Sequence, residues 1–204
     1  DEESTAPRRG AIHLRRASQK GSDPMFEKLQ SEGKIGRLSI KNRAVMPAMG
    51  VNLGKREGGV TDDILAFYEA RARGGVGLVI TEVTRIADGP GISDPFQLAA
   101  YRLSDIAELE RLVDAVHKYG TRIFIQLQHP GREASFAVSG ERPVAPSAVA
   151  NPMHGGDAPR ELSTEECEDM VRKFVFAAHV ASLSGADGVE LHGAHGYLIN
   201  EFIS

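Results

Sequence analysis

From position 43 onward, short apolar runs alternate with longer segments in which apolar residues recur at helical spacing. Arg43-Ala44-Val45-Met46 is the first run and stops at Pro47, which cannot donate to a strand ladder. Thr61-Asp62-Asp63 then supplies an N-cap and an acidic first turn for a helix that closes at Gly74-Gly75. Val76-Gly77-Leu78-Val79-Ile80-Thr81 follows without polar alternation, so both of its faces are expected to be buried. The unit repeats. Ser104-Asp105 caps a helix with Ile106, Leu109, Leu112, Val113 and Val116 on one face, Gly120 ends it, and Arg122-Ile123-Phe124-Ile125-Gln126-Leu127 is the next strand. Ser163-Thr164-Glu165-Glu166 is a capping box for a third helix, with Val171, Phe174, Val175 and Ala178 as its apolar face and Gly185 as its stop. Gly188 to Leu191 is the fourth strand. Ahead of all these, Phe26-Glu27-Lys28-Leu29 through Ile40 mixes glycines with short apolar pairs, as a small lid or hairpin does.

Strands connected through helices pair in parallel, which leaves a doubly wound sheet and a β/α barrel as alternatives. The first strand-to-helix loop reads Pro47-Ala48-Met49-Gly50-Val51-Asn52-Leu53-Gly54 and lacks the G-x-G-x-x-G that a dinucleotide-binding sheet places there. A barrel is therefore favoured. Because a barrel takes eight such units and about 250 residues, the fold expected is α/β of TIM (β/α)8 type, with residues 25–204 forming about the first four units, a half-barrel.

Composition changes this picture little. The chain has 204 residues, 41% of them hydrophobic and 25% charged, enough for one sizeable core. A net charge of -4 without a basic, aromatic-interleaved patch gives no reason to expect a nucleic acid partner. No apolar run approaches the ~18 residues of a membrane span, and a cytoplasmic location is expected. The lone Cys167 excludes an internal disulfide and a cysteine-ligated metal cluster, and between Glu166 and Glu168 it reads as incidental. Residues 1–24 carry Arg8-Arg9 and Arg15-Arg16 but no hydrophobic segment of a secretory signal. Arg15-Arg16-Ala17-Ser18 matches a basophilic kinase site, while Gly21-Ser22-Asp23-Pro24 before Met25 reads as a cloning scar, so 1–24 is taken as a disordered expression leader.

Candidate chemistry begins where the last strand stops. Val189-Glu190-Leu191-His192-Gly193-Ala194-His195-Gly196-Tyr197 runs from a buried strand into glycines, two histidines and a tyrosine. In repeating β/α architectures such strand-end loops converge on one face, so His192, His195 and Tyr197 are candidates for one site. An alternative takes His129, His192 and His195 as metal ligands, although no acidic ligand follows them.

Four segments resemble the old yellow enzyme family of FMN-dependent ene-reductases, in its bacterial branch. They are Asn42-Arg43-Ala44-Val45-Met46-Pro47-Ala48-Met49, Ile80-Thr81-Glu82-Val83, Ile125-Gln126-Leu127-Gln128-His129-Pro130-Gly131-Arg132, and His192-Gly193-Ala194-His195-Gly196-Tyr197-Leu198-Ile199-Asn200-Glu201-Phe202. The resemblance implies FMN as cofactor, NADH or NADPH as reductant, and a small enone or enoate as substrate. It implies Pro47, Ala48, Met49 and Gly50 along the flavin, Val83 beside the ring, and the Gln126 amide at the pyrimidine edge. His192 and His195 would grip the substrate carbonyl, His192 also bordering the flavin, and Tyr197 would be the proton donor. His129 and Arg132 would edge the site. Many relatives carry threonine or cysteine beside the flavin carbonyl where this chain has Gly50. An iron-sulfur cluster and FAD belong only to longer relatives. The other reading is a catalytically inert half-barrel that self-associates or needs the C-terminal half of the barrel.

Overall fold

The structure, a computed structural model, describes residues 26–152 and 158–204; the leader expected over 1–24, its kinase-site pattern and Met25 lie outside the described residues. A short helix α1 (Glu27–Gln30) and a hairpin of β1 (Gly33–Ile35) and β2 (Leu38–Ile40) precede β3 (Val45–Met46). Then come α2 (Asp62–Arg73), β4 (Leu78–Arg85), α3 (Asp105–His117) and β5 (Arg122–Gln128). An excursion containing α4 (Phe136–Ser139), β6 (Val144–Ala145) and β7 (Arg160–Glu161) leads to α5 (Thr164–Leu183), β8 (Gly188–Leu191) and α6 (Leu198–Ile203).

Strands β3, β4, β5 and β8 form one parallel sheet in that order. Ile64, Tyr68 and Ala72 of α2, Leu109, Leu112 and Val116 of α3, and Ala177, Val180 and Ala181 of α5 join Val79, Ile123, Ile125 and Leu127 in a single core. All three long helices therefore cover the same face. A doubly wound sheet would be covered on both, so the alternative left open by the sequence resolves to the wall of a barrel.

On the other face, Ile40, Leu78 and Ile80 pack with Ala48 and Phe124. The hairpin closes this end: Arg122 Nε donates to the Ser39 carbonyl at 3.3 Å, and Lys41 Nζ to Tyr119 O at 2.7 Å and Thr121 Oγ1 at 3.0 Å. These contacts lie at the N-terminal ends of β4 and β5, so the segment expected as a lid or hairpin is a hairpin that forms the floor, opposite the strand ends.

Local sequence explains most element ends. The Thr61 hydroxyl accepts from Ile64 N, and Ser163 and Glu166 form both bonds of the capping box. The start of α3 differs from expectation, because the Ser104 side chain makes no cap bond. Asp105 Oδ2 instead reaches back to accept from Tyr101 N at 3.1 Å and Arg102 N at 3.0 Å. β4 also runs four residues beyond the expected end at Thr81. Its register passes from Ile80 opposite Phe124 to Val83 opposite Gln126, so a bulge places one extra residue on β4. Thr81 Oγ1 accepts the Gln126 N–H at 3.1 Å and satisfies a donor that the bulge removes from the ladder.

The face of α5 read as apolar from sequence is divided: Phe174 and Ala178 pack against the core alongside buried Met170, Ala177, Val180 and Ala181, while Val171 and Val175 are 63% and 65% exposed. α5 carries one apolar stripe against the sheet and a second toward the open edge at β8. Between that second stripe, β8 and α6 lies a groove of about 580 Å³, lined among others by Cys167, Phe174, Leu191, Leu198 and Phe202.

Candidate active site at the strand ends

The inward face of the sheet is layered. Above the apolar floor, Val83, Gln126 and Glu190 stand at one level on adjacent strands. Gln126, only 7% exposed, donates from Nε2 to Glu190 Oε1 at 2.7 Å. A carboxylate can only accept, so the amide is oriented with its nitrogen toward β8 and its carbonyl away from it.

The next inward position on β8 is His192, whose backbone N–H still donates to Leu127 O at 3.0 Å. The chain then turns through two left-handed residues, His195 at φ 59° and Gly196 at φ 75°. Positive φ is costly for a histidine; Asn200 Oδ1 holds this turn by accepting from Gly196 N at 2.9 Å. The turn brings the three predicted residues together, with ring centroids 4.9 Å apart for His192 and His195, 4.7 Å for His192 and Tyr197, and 6.5 Å for His195 and Tyr197.

Hydrogen bonding assigns the protons. Ala194 N donates to His192 Nδ1 at 3.3 Å, which places the His192 proton on Nε2. That atom lies 3.0 Å from His195 Nδ1, so His192 donates and the His195 proton sits on Nε2. Burial first, and then His195, lower the pKa of His192, favouring the neutral imidazole. Burial, followed by the carboxylates of Asp94 and Glu133, raises that of Tyr197, which keeps its phenol protonated.

The loop from Pro47 to Gly50 flanks this layer. Ala48 packs on the floor, Met49 is 47% exposed, and a Cβ on Gly50 would meet nothing within 4 Å, so the backbone there is open to a flat ligand. Buried Glu82 fastens the loop: Oε2 accepts from Val51 N at 2.7 Å and Asn52 N at 2.8 Å, and Oε1 from Leu98 N at 3.2 Å. Glu82 N in turn donates to Tyr68 OH at 2.6 Å. Burial raises the Glu82 carboxyl pKa.

His129 is placed differently from expectation. His129 is buried, its Nδ1 accepts from Gly131 N at 3.1 Å, and burial lowers its pKa to about 3, so it is a neutral structural histidine. Arg132 N donates to Glu201 Oε1 at 2.8 Å, tying the loop after β5 to α6. The reading of His129, His192 and His195 as one metal site fails on geometry: His129 Nδ1 and both nitrogens of His192 are engaged within the chain. Sequence reasoning missed Glu82, Glu190 and Asn200. The two glutamates had a signal, since a carboxylate inside an otherwise apolar strand demands a partner.

A parallel β/α wall with its polar groups gathered at the C-terminal strand ends is one half of a barrel enzyme's architecture. Residues 29–204 match the model of the NADH:flavin oxidoreductase / NADH oxidase family, and the chain belongs to that family. It is 46% identical over 183 residues to an NADH oxidase of Thermoanaerobacter brockii, covering 88% of this chain and 28% of the relative. It is 42% identical over 170 residues to an NADPH dehydrogenase of Clostridium acetobutylicum, covering 83% of this chain and 49% of the relative. The old yellow enzyme homologue from Zymomonas mobilis superposes with a TM-score of 0.76 at 34% identity, over 86% of this chain and 51% of that one. The chain thus spans about half or less of these relatives, and its fold is half of a TIM barrel. Among the described residues, no helix is long and apolar enough to cross a membrane.

Proposed function

We propose that this chain forms the N-terminal half of an FMN-dependent reductase that reduces the activated C=C bond of α,β-unsaturated carbonyl compounds with NADH or NADPH. The observation that carries this reading is the convergence of a hydrogen-bonded histidine pair, a phenol and an oriented glutamine amide on one strand-end face. These residues fit a flavin. Pro47, Ala48, Met49 and Gly50 offer backbone beside an open surface, Val83 an apolar contact, and Gln126 a donor and an acceptor for the pyrimidine edge. When bound, FMN supplies the hydride, from N5 of its reduced ring.

The chain's own residues do the rest. His192 Nε2 and His195 Nε2 carry the N–H groups available to a substrate carbonyl oxygen. The His192 N–H now directed at His195 turns to the substrate oxygen when it enters, its proton staying on Nε2. Neutral imidazoles stabilise the developing negative charge without surrendering a proton, as donors of oxyanion-hole type do. The Tyr197 phenol delivers the proton to the α-carbon. Glu82 keeps the loop that would flank the flavin in place.

The test is anaerobic. A polypeptide carrying both barrel halves and loaded with FMN is expected to lose its yellow absorbance on NADH or NADPH and regain it with cyclohexenone. Flavin that stays oxidised under reductant would overturn the proposal.

The apolar groove along β8 favours a second reading, in which this half-barrel alone is inert and self-associates or takes up a C-terminal half. Val171, Val175 and Leu191, which line it, are left exposed beside the edge strand. Sizing chromatography of the 204-residue chain distinguishes these states, and a clean monomer that binds no hydrophobic dye contradicts this reading.

A further inference from the structure

We propose that Glu190 is a positioning residue of the candidate site, fixing which way the Gln126 amide faces and setting a negative charge beside His192. The proposal rests on the flavin reading for its functional meaning but on this chain's own geometry for its content.

Three observations carry it. Gln126 and Glu190 are direct register partners on β5 and β8, and their side chains meet at 2.7 Å on the inward face. Gln126 is buried, so its amide has no solvent to turn toward, and the acceptor it faces decides its orientation. The same carboxylate acts on His192 two residues along the strand, where it favours the protonated ring against burial and the neighbouring His195. One side chain thereby bonds one polar element of the site and acts through space on the other, from a strand rather than a loop.

The consequence is a division of duties. With its nitrogen committed toward Glu190, Gln126 presents its carbonyl oxygen and its second N–H to whatever lies above the layer. That matches a ring edge on which donors and acceptors alternate. A flipped amide would present the reverse order and mismatch it. The charge of Glu190 acts on His192 through space, without contacting the substrate.

Two variants separate orientation from charge. Glu190→Gln can still accept from Gln126 Nε2 through its own carbonyl but carries no charge, whereas Glu190→Leu can do neither. In the full chain, NMR is expected to show the His192 titration moving to lower pH in both variants. Exchange of the Gln126 side-chain amide protons should stay near the wild-type rate in Glu190→Gln and rise about tenfold in Glu190→Leu. FMN affinity should follow the amide, near wild type in the first and about tenfold weaker in the second. An unmoved His192 titration and unchanged amide exchange in Glu190→Leu would overturn the role of Glu190. FMN failing to bind the wild type would instead overturn the flavin reading, and the two NMR measurements would still decide Glu190.

Discussion

At the scale of residues, the proposed mechanism separates holding charge from moving a proton. In it His192 and His195 act as hydrogen-bond donors and Tyr197 as the acid. Tyr197→Phe in the FMN-loaded two-half polypeptide is accordingly expected to leave flavin reduction by NAD(P)H unchanged and slow enone-dependent reoxidation by about 100-fold. Stopped-flow absorbance resolves the two half-reactions, and an unaltered reoxidation rate would remove the phenol from its role. Glu82 makes a different prediction. Its carboxylate serves three backbone donors, so Glu82→Ala should destabilise the chain by about 3 kcal/mol in urea unfolding. The histidines and Tyr197 were legible because several polar groups crowd a strand end between glycines. Glu82 and Glu190 were not, because what each one holds comes from a strand or loop distant in sequence.

At the scale of elements, caps were readable and ladders were not. The Ser163 capping box appears as its four-residue pattern requires, and Ser163→Ala is expected to cost about 1 kcal/mol, read from the unfolding midpoint. The bulge in β4 had no such pattern. Thr81-Glu82-Val83-Thr84-Arg85 looks too polar for a buried strand, and its burial depends on partners in α2, β5 and the following loop. Thr81→Val keeps the shape but orphans the Gln126 N–H, so a loss of about 1 to 3 kcal/mol is expected. α6 brings a pH dependence. Burial raises the Glu201 carboxyl pKa from 4.5 to about 7 where it meets the loop after β5. A folded-state pKa above the unfolded one means stability present in acid and lost as pH rises through about 7. The unfolding free energy of the wild type relative to Glu201→Gln should therefore fall between about pH 5 and pH 8. A flat difference would show that the carboxyl titrates normally.

At the scale of the whole molecule, parallel strands joined by helices were evident from the alternation of runs. The choice of barrel over doubly wound sheet came from the missing glycine fingerprint and is borne out by the helices sharing one face. The apolar side of α5 was only half placed, Phe174 and Ala178 packing on the core and Val171 and Val175 not, because sequence periodicity cannot say which of two apolar stripes meets the sheet. The hairpin was foreseen as an element but its location was not, since its anchors are polar contacts 78 to 83 residues downstream. That span has a kinetic meaning. A chain emerging from the ribosome can pair β1 with β2 at once, but Tyr119, Thr121 and Arg122, which anchor that hairpin, are made long afterwards, and loop closure over so many residues is slow compared with local pairing. The hairpin should thus dock on the base of the wall only after Arg122 has left the exit tunnel, later than its place at the start of the fold suggests.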